Sequence, residues 1–376
     1  MNFILGKLLY NVNIKIIISL TLLAFLFLIN FVKDSNDSDL LFYKNSTGHI
    51  QPVTTLAEWE KKRFQIIEGM EQAMGKLPDR TDLPPLDVQI IDTLEADTYN
   101  RMTISFTAAE NEKVSAFLYI PFRKRISEKL PAMLVLHGTG APGKKLVDGS
   151  SPLANRAHAK ELAERGYVVI APDYPSMGDL KDYDFENDRY DSGTMKGIFN
   201  HMRSVDLLQD REEVDPERIG VIGHSLGGHN AMFAGAFDTR LKVIVSSCGW
   251  TLMDHYRVST GLGPWAQDLY MPMLRDKYDL DAEKIPFDFH EVIAALAPRS
   301  FFSNSPLHDS NFEVKGVRKG IAAASEVYSF LEANDNLQVR YPDAGHDFPT
   351  EVRLEAYRFI DEKLEHTPNH EAKDLE

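Results

Sequence analysis

Short apolar runs and longer amphipathic stretches alternate along the chain from residue 132 onwards. The runs are rich in Val, Ile, Leu and Ala, as strands buried on both faces of a sheet are, and the stretches between them have helical spacing. This alternation predicts an α/β fold with a mostly parallel, doubly wound sheet. The predicted strands are Ala132–Leu136, Tyr167–Ala171, Ile219–Ile222, Val243–Ser246, Ser300–Asn304 and Leu337–Tyr341. The predicted helices are Ala154–Arg165, Met195–Arg211, Leu226–Phe237, Val317–Ala333 and Glu351–His366.

Three earlier runs alternate apolar and polar positions, which indicates antiparallel strands at the N-terminal side of the sheet. They are Val88–Asp92, Arg101–Phe106 and Val114–Ile120. Before them, Leu56–Met74 has helical spacing. The segment 250–289 contains no clean strand, and we expect it to be an insertion that covers the C-terminal edge of the sheet.

The N-terminal region contains a long, nearly uniform apolar stretch, Ile14–Val32, with Lys7 before it and Lys15 at its start. This pattern indicates a signal peptide or a signal anchor within residues 1–34, and both interpretations stay open. The positive N-terminal side predicts that the rest of the chain lies outside the cytoplasm, in the periplasm, at the cell surface or secreted, with membrane contact only through this segment. We interpret residues 35–55 as a polar tether and residues 56–376 as one α/β domain with the 250–289 insertion.

Charge and cysteine content narrow the classes of protein. The formal net charge of −15 argues against nucleic acid as a partner, because phosphate binding needs clustered Lys and Arg. The single cysteine, Cys248, excludes an intramolecular disulfide, and we expect it to be a small buried apolar side chain. The sequence shows no helical His-Glu pair of the kind that binds a metal ion. We expect neither a metal nor a cofactor.

The chemistry centres on Gly223-His224-Ser225-Leu226-Gly227, which joins a predicted strand to a predicted helix. A Gly-x-Ser-x-Gly sequence in that context is typical of a nucleophile elbow, where the serine lies on a sharp, strained turn. The two glycines remove Cβ atoms that would clash across the turn. Ser225 is therefore the predicted nucleophile.

Serine needs a base, and the base needs an orienting carboxylate. His346 follows the last predicted strand and Asp309 follows the strand before it, so both reach the same sheet edge as Ser225. The order Ser225, Asp309, His346 is that of the α/β-hydrolase triad. Asp254 is an alternative acid. A structural or supporting role is expected for His308, His224 and His229.

An oxyanion hole completes the predicted site. One donor is the backbone N–H of Leu226, the residue after the nucleophile, and the second is the N–H of Thr139 in the loop His137-Gly138-Thr139-Gly140. His137 is expected to brace this loop. In the insertion, Trp265 and Tyr270 are flat and partly polar, so we expect them to contact substrate; packing of the insertion is the alternative.

With these motifs the chain resembles the α/β-hydrolase superfamily, in its branch of dienelactone hydrolases and acetylxylan-esterase-like enzymes. The resemblance implies a Ser-His-Asp esterase without a cofactor. Ser225 stands where dienelactone hydrolases proper have cysteine, which favours ordinary carboxylic esters, and analogy suggests a carbohydrate or similar small ester as substrate. The residues that carry the resemblance are His137-Gly138, Ala171-Pro172-Asp173-Tyr174-Pro175, Ser192-Gly193-Thr194-Met195-Lys196, Gly223–Gly228, Pro286–Glu291, Ala297-Pro298-Arg299 and Gly345-His346-Asp347.

Two other functions compete with the esterase hypothesis. A serine peptidase of the prolyl-oligopeptidase type normally has a large β-propeller before the hydrolase domain, and the N-terminal part of this chain is too short for one. A non-catalytic binding protein on the same scaffold usually lacks a triad residue, whereas all three residue types are present here.

Overall fold

The structure is a computed structural model that describes residues 39–123, 129–256 and 261–369. Its strands are β1 (Phe42–Lys44), β2 (Ile50–Pro52), β3 (Gln89–Glu95), β4 (Tyr99–Ala109), β5 (Glu112–Pro121), β6 (Leu130–Leu136), β7 (Val168–Pro172), β8 (Val214–His224), β9 (Leu241–Ser247), β10 (Ser300–Asn304) and β11 (Leu337–Arg340). Its α-helices are α1 (Leu56–Met74), α2 (His158–Glu164), α3 (Gly193–Gln209), α4 (Leu226–Phe237), α5 (Met273–Asp276), α6 (Phe289–Leu296), α7 (Val314–Phe330) and α8 (Thr350–Lys363).

Nine of these strands form one sheet in the order β11-β10-β9-β8-β6-β7-β5-β4-β3. The strands from β6 to β11 run parallel, whereas β3, β4 and β5 are antiparallel and join the sheet through an antiparallel β5–β7 pair. The predicted fold class, an α/β-hydrolase fold with N-terminal antiparallel strands, is thereby confirmed. The carboxyl ends of β6, β8, β9, β10 and β11 all open at one edge, where the candidate residues follow.

Burial explains why the central strands are apolar. Every residue of β6, β7 and β10 is buried, because helices cover both faces of the sheet. Helix α4 is buried along nearly all of its length. Accordingly, its apolar residues lie on all sides of the helix and not on one face alone. The helix that carries the candidate nucleophile is thus held rigidly inside the molecule.

Helices α2 and α6 illustrate how the structure departs from the sequence-based expectation. The helix predicted from residue 154 begins at His158, because Asn155 has a left-handed backbone (φ 58°) that no α-helix contains. Helix α6 was not predicted, since eight residues are too few for a clear period. Its start is fixed by a capping box, in which the Asp288 side chain accepts the Phe289 N–H and Glu291 bonds back to Asp288 N–H.

The tether interpretation of residues 35–55 is wrong for the part that the structure describes. Strands β1 and β2 pair as an antiparallel hairpin, and Leu40, Tyr43 and Val53 are buried in the main core. Three buried apolar side chains outweigh the polar composition around them, so this hairpin belongs to the folded domain.

The stretch Ile14–Val32 lies outside the described residues. Among the residues that could be searched, no helix has the length and apolar character needed to cross a membrane.

Candidate active site

Ser225 lies on the turn between β8 and α4 with φ 57° and ψ −120°, a strained conformation for a residue with a side chain. A Cβ on Gly223 would lie 2.1 Å from the Gly227 carbonyl oxygen, and one on Gly227 would lie 2.0 Å from the Leu136 carbonyl oxygen. Only glycine fits at both positions. The turn is pinned by the Ser225 N–H, which donates to Ser247 O at 2.8 Å.

The loop after β6 lies directly against this turn. A Cβ added to Gly138 would be 3.4 Å from the His224 carbonyl oxygen and 3.6 Å from Ser225 Cβ, so the backbone before Thr139 passes beside the serine. In the described part of the chain, neither the Leu226 N–H nor the Thr139 N–H donates to a protein acceptor. Both donors proposed for an oxyanion are therefore available.

His137 braces this loop from inside the protein. Its Nε2 accepts the Tyr174 N–H at 3.0 Å, which leaves Nδ1 to carry the proton and donate to Gly138 O at 2.7 Å. Burial lowers the pKa of His137, in keeping with the neutral form that this pattern requires.

An ion network centred on the buried Lys144 holds the segment that follows the His137–Gly140 loop. Lys144 Nζ contacts Asp173 Oδ2 at 2.6 Å, Asp179 Oδ2 at 2.6 Å and Ser115 Oγ at 3.0 Å, so all three of its donors are used. The Lys144 N–H also donates to Asp173 Oδ1 at 2.7 Å. Because Asp173 and Lys144 are both buried, their charges are held in fixed positions.

His346 and Asp309 form the base–acid pair that the sequence suggested. His346 Nδ1 lies 3.0 Å from Asp309 Oδ1 and 2.9 Å from Oδ2. Asp309 Oδ1 also accepts the Asn311 N–H at 2.8 Å and the Phe312 N–H at 3.2 Å, and these two bonds fix the orientation of the carboxylate. The Asp309 side chain is 1% exposed and that of His346 24%. Since Nδ1 faces Asp309, Nε2 is the nitrogen available for proton transfer.

The rest of the histidine loop is clamped by Arg156, which sequence reasoning missed. Its Nη1 lies 2.7 Å from Asp347 Oδ1 and its Nη2 donates to His346 O at 3.1 Å. A charged residue in an irregular segment far from His346 in sequence gives no local signal of such a contact.

His224 connects the elbow to the base. Its ring centroid lies 5.0 Å from that of His346, and its Nδ1 bonds Ser247 Oγ at 3.0 Å. Burial, with smaller contributions from Arg156 and His346, holds the pKa of His224 well below its usual range. A neutral ring thus lies beside His346, as a supporting role requires.

The other candidates lie elsewhere. Asp254 is exposed and its only described partner is His255, at 3.8 Å, so the structure does not place it on His346. His308 pairs with Asp343 at the surface. Cys248 is buried as expected; burial raises the pKa of its thiol, whose Sγ lies 3.1 Å from Asp347 O.

Cys248 also belongs to the single group of candidate metal-ligating atoms found among the described residues. Its Sγ and ligand atoms of Asp309 and His346 lie within 4.8 Å of one another. The carboxylate of Asp309 already accepts from Nδ1 and from two backbone N–H groups. We therefore assign the group to the base–acid pair.

Trp265 does not offer a face to substrate, and that expectation is corrected by the structure. It is 4% exposed, stacks on Tyr256 with centroids 4.4 Å apart, and packs on Phe289 at 5.1 Å and His229 at 5.8 Å. Partners from separate segments enclose the ring, so it packs the insertion against the domain, which was the alternative interpretation.

Tyr270 reaches the oxyanion loop. Its hydroxyl lies 2.8 Å from Thr139 Oγ1, and its backbone carbonyl accepts the Thr194 N–H at the start of α3. The insertion therefore borders the candidate site, while substrate contact by Tyr270 stays a prediction.

Comparison with known proteins shows similarity to esterases. A family model described as "Glucuronyl esterase, fungi" matches residues 183–332, which include Ser225 and Asp309. The carbohydrate esterase MZ0003, from an unknown prokaryotic organism, is 24% identical over 332 residues, which cover 74% of this chain and 76% of that protein. The chain is a serine esterase with an α/β-hydrolase fold.

Further similarities extend over most of the esterase. The Bacillus subtilis protein YtaP is 28% identical over 321 residues, 82% of this chain and 99% of its own length. Among solved structures, a glucuronoyl esterase from Solibacter usitatus has a TM-score of 0.65 at 21% identity, covering 85% of this chain and 96% of its own. A CE15 glucuronoyl esterase from Teredinibacter turnerae has a TM-score of 0.67 at 18% identity, covering 86% and 88%. At these identities the two structures establish the shared fold.

Proposed function

We propose that this esterase hydrolyses carboxylic esters carried by sugars, with Ser225 as nucleophile, His346 as base and Asp309 as the orienting acid. The observation that carries the proposal is the His346–Asp309 pair, 2.9 Å apart, beside a strained serine turn. Such a serine–base–acid arrangement suits acyl transfer.

The geometry supports a two-step reaction. His346 Nε2 takes the Ser225 Oγ proton as Oγ attacks the ester carbonyl carbon, and the N–H groups of Leu226 and Thr139 stabilise the oxyanion. The protonated His346 gives its proton to the leaving alkoxide, which departs as the alcohol and leaves an acyl-serine. Water then repeats the sequence and releases the acid. Asp309 keeps Nδ1 protonated and stabilises the imidazolium.

Esters of uronic acids are the first substrate class to test. The matching family model concerns glucuronyl esterases, and a relative from Hypocrea jecorina named 4-O-methyl-glucuronoyl methylesterase is 28% identical over 143 residues, 34% of this chain. In such an ester the sugar supplies the acyl part. The sequence-based hypothesis of an acyl group removed from a sugar hydroxyl forms the second arm of the test.

We further propose that the enzyme works outside the cytoplasm, exported by the apolar stretch Ile14–Val32. Accessibility of a C-terminal epitope tag to protease in intact cells tests this: digestion is expected, and full protection would contradict export.

The function is tested with purified wild type and Ser225→Ala on three substrates: methyl glucuronate, an acetylated xylose and a dipeptide amide. We expect wild type to release methanol from methyl glucuronate and Ser225→Ala to release none above background. Preferential cleavage of the acetylated sugar would place the sugar on the alcohol side. Cleavage of the amide alone would overturn the esterase proposal in favour of a peptidase.

A further inference from the structure

Tyr256 combines a buried ring with an unpaired hydroxyl. The residue is 8% exposed, and its ring stacks on Trp265 at 4.4 Å and packs on Phe312 at 5.6 Å. Among the described residues, no group makes a hydrogen bond with its hydroxyl, and that oxygen is not among the buried polar atoms that lack a partner. The hydroxyl therefore reaches the surface while the ring is fixed.

Its neighbours place this hydroxyl at the candidate site. Tyr256 pairs with Phe312 as an antiparallel β-bridge, and the Phe312 N–H donates to Asp309 Oδ1 at 3.2 Å. The Phe312 ring in turn stacks on His346 with centroids 5.9 Å apart. Tyr256 is thus separated from the candidate base by a single aromatic ring.

The electrostatic surroundings agree with that placement. Burial, followed by the Tyr270 hydroxyl and the Asp309 carboxylate, raises the pKa of Tyr256 to about 12, so the phenol keeps its proton at neutral pH. Tyr270 bonds Thr139 on the oxyanion loop, and Asp309 bonds His346. The two groups that act electrostatically on the Tyr256 hydroxyl thus belong one to the oxyanion loop's contacts and the other to the base–acid pair.

An unpaired, accessible hydroxyl on an immobile ring is suited to recognising a polar ligand. Its rotamer is already fixed by Trp265 and Phe312, so a hydrogen bond to a ligand costs little side-chain entropy. A phenol can both donate and accept, which matches a sugar hydroxyl, itself a donor and an acceptor.

We infer that the Tyr256 hydroxyl binds a hydroxyl group of the sugar next to the scissile ester and so makes the enzyme prefer sugar esters to simple ones. This inference rests on the proposed function and names a recognition residue for it. Tyr256 is a different residue from Trp265 and Tyr270, the substrate contacts expected from the sequence.

The test compares wild type with Tyr256→Phe, which keeps the ring and removes only the hydroxyl. We expect the ratio of kcat/KM for methyl glucuronate to that for 4-nitrophenyl acetate to fall about 5- to 10-fold, the effect of losing one ligand hydrogen bond. Inhibition of acetate hydrolysis by methyl glucuronoside should weaken by a similar factor. The melting temperature should stay within about a degree of wild type, because the ring stacking is intact.

The matched control is Tyr278→Phe, in the same insertion, whose hydroxyl donates to Gln72 O at 3.1 Å on α1. Tyr278→Phe should leave both the kcat/KM ratio and the inhibition by methyl glucuronoside unchanged. An unchanged ratio and unchanged inhibition in Tyr256→Phe would overturn the inference while wild-type turnover of methyl glucuronate upholds the function. Wild type without sugar-ester turnover, but with inhibition weakened by Tyr256→Phe, would overturn the function and leave the binding role standing.

Discussion

Asp309 differs from Asp254, the alternative acid, in the groups that it contacts. Both of its oxygens approach His346 Nδ1, and two backbone N–H groups hold it in place, whereas the one partner of Asp254 among the described residues is His255, at 3.8 Å. A carboxylate that must orient an imidazole needs this combination of contact and rigidity.

The corresponding prediction compares Asp309→Asn with Asp254→Asn. An amide at position 309 can donate to His346 and so favours the wrong tautomer, and we expect kcat to fall by roughly 10²- to 10⁴-fold. Asp254→Asn should retain wild-type kcat. Steady-state kinetics on one ester decide between them: a large loss in Asp254→Asn with little loss in Asp309→Asn would show that the acid has been assigned to the wrong strand.

For single residues, the sequence predicts a functional role where the residues that define it lie close together along the chain. Ser225 and the neighbouring glycines form a contiguous motif, and His346 and Asp309 each follow a strand, so their candidacy is visible without coordinates. The clamp by Arg156 and the free hydroxyl of Tyr256 arise from packing between distant segments. No spacing rule identifies such contacts.

At the scale of elements, Arg63 ties three helices together. From α1 its Nε donates to Ala295 O at 3.0 Å, and its Nη2 donates to Ala236 O at 2.9 Å. These carbonyls lie in the last turns of α6 and α4, where helices leave carbonyl groups without intrahelical partners. Arg63 therefore anchors the C-terminal end of the helix whose other end carries Ser225.

Replacing Arg63 with Met is expected to lower the free energy of unfolding by about 1–3 kcal/mol, because two carbonyls lose their donor. Arg358→Met, at an exposed position on α8, serves as the control and should change it by less than about 0.5 kcal/mol. Urea denaturation measures both. Equal unfolding midpoints for the two variants would remove Arg63 from this role.

Some elements were predicted residue for residue. The bounds of α1, α4 and β10 agree with the prediction, whereas α6 and the β1–β2 hairpin were missed because each is too short to show a period. Trp265 was misjudged for another reason: whether an aromatic residue in an insertion faces substrate or core depends on partners from four separate segments.

At the scale of the whole molecule, buried histidines couple stability to pH. Burial lowers the pKa of five of them, to about 3 for His201 and about 4 for His229. An unfolded histidine binds its proton near pH 6.5, so below that pH the unfolded chain takes up protons that the folded chain cannot. Stability is therefore full above about pH 6.5 and declines as the pH falls. The five residues are His137, His158, His201, His224 and His229.

We predict that the free energy of unfolding falls between pH 7.5 and 5, by up to about 1.4 kcal/mol per pH unit for each buried histidine. His158 offers the matched variant, since both of its ring nitrogens lack a partner among the described residues and its ring packs on Phe348. His158→Phe should reduce the slope of the free energy of unfolding against pH by the contribution of one buried histidine. Urea titrations across this range test it, and a slope unchanged in His158→Phe would contradict the assignment.

The central claim is that Ser225 is the nucleophile, and covalent labelling tests it most directly. Wild type and Ser225→Ala are treated with a fluorophosphonate, digested and mapped by mass spectrometry. We predict one modified residue, Ser225, in wild type, and no labelled peptide in Ser225→Ala, which should keep its melting temperature and lose about 10⁴-fold or more in turnover. A folded Ser225→Ala protein that is still labelled, or that still hydrolyses ester at a wild-type rate, would contradict the account.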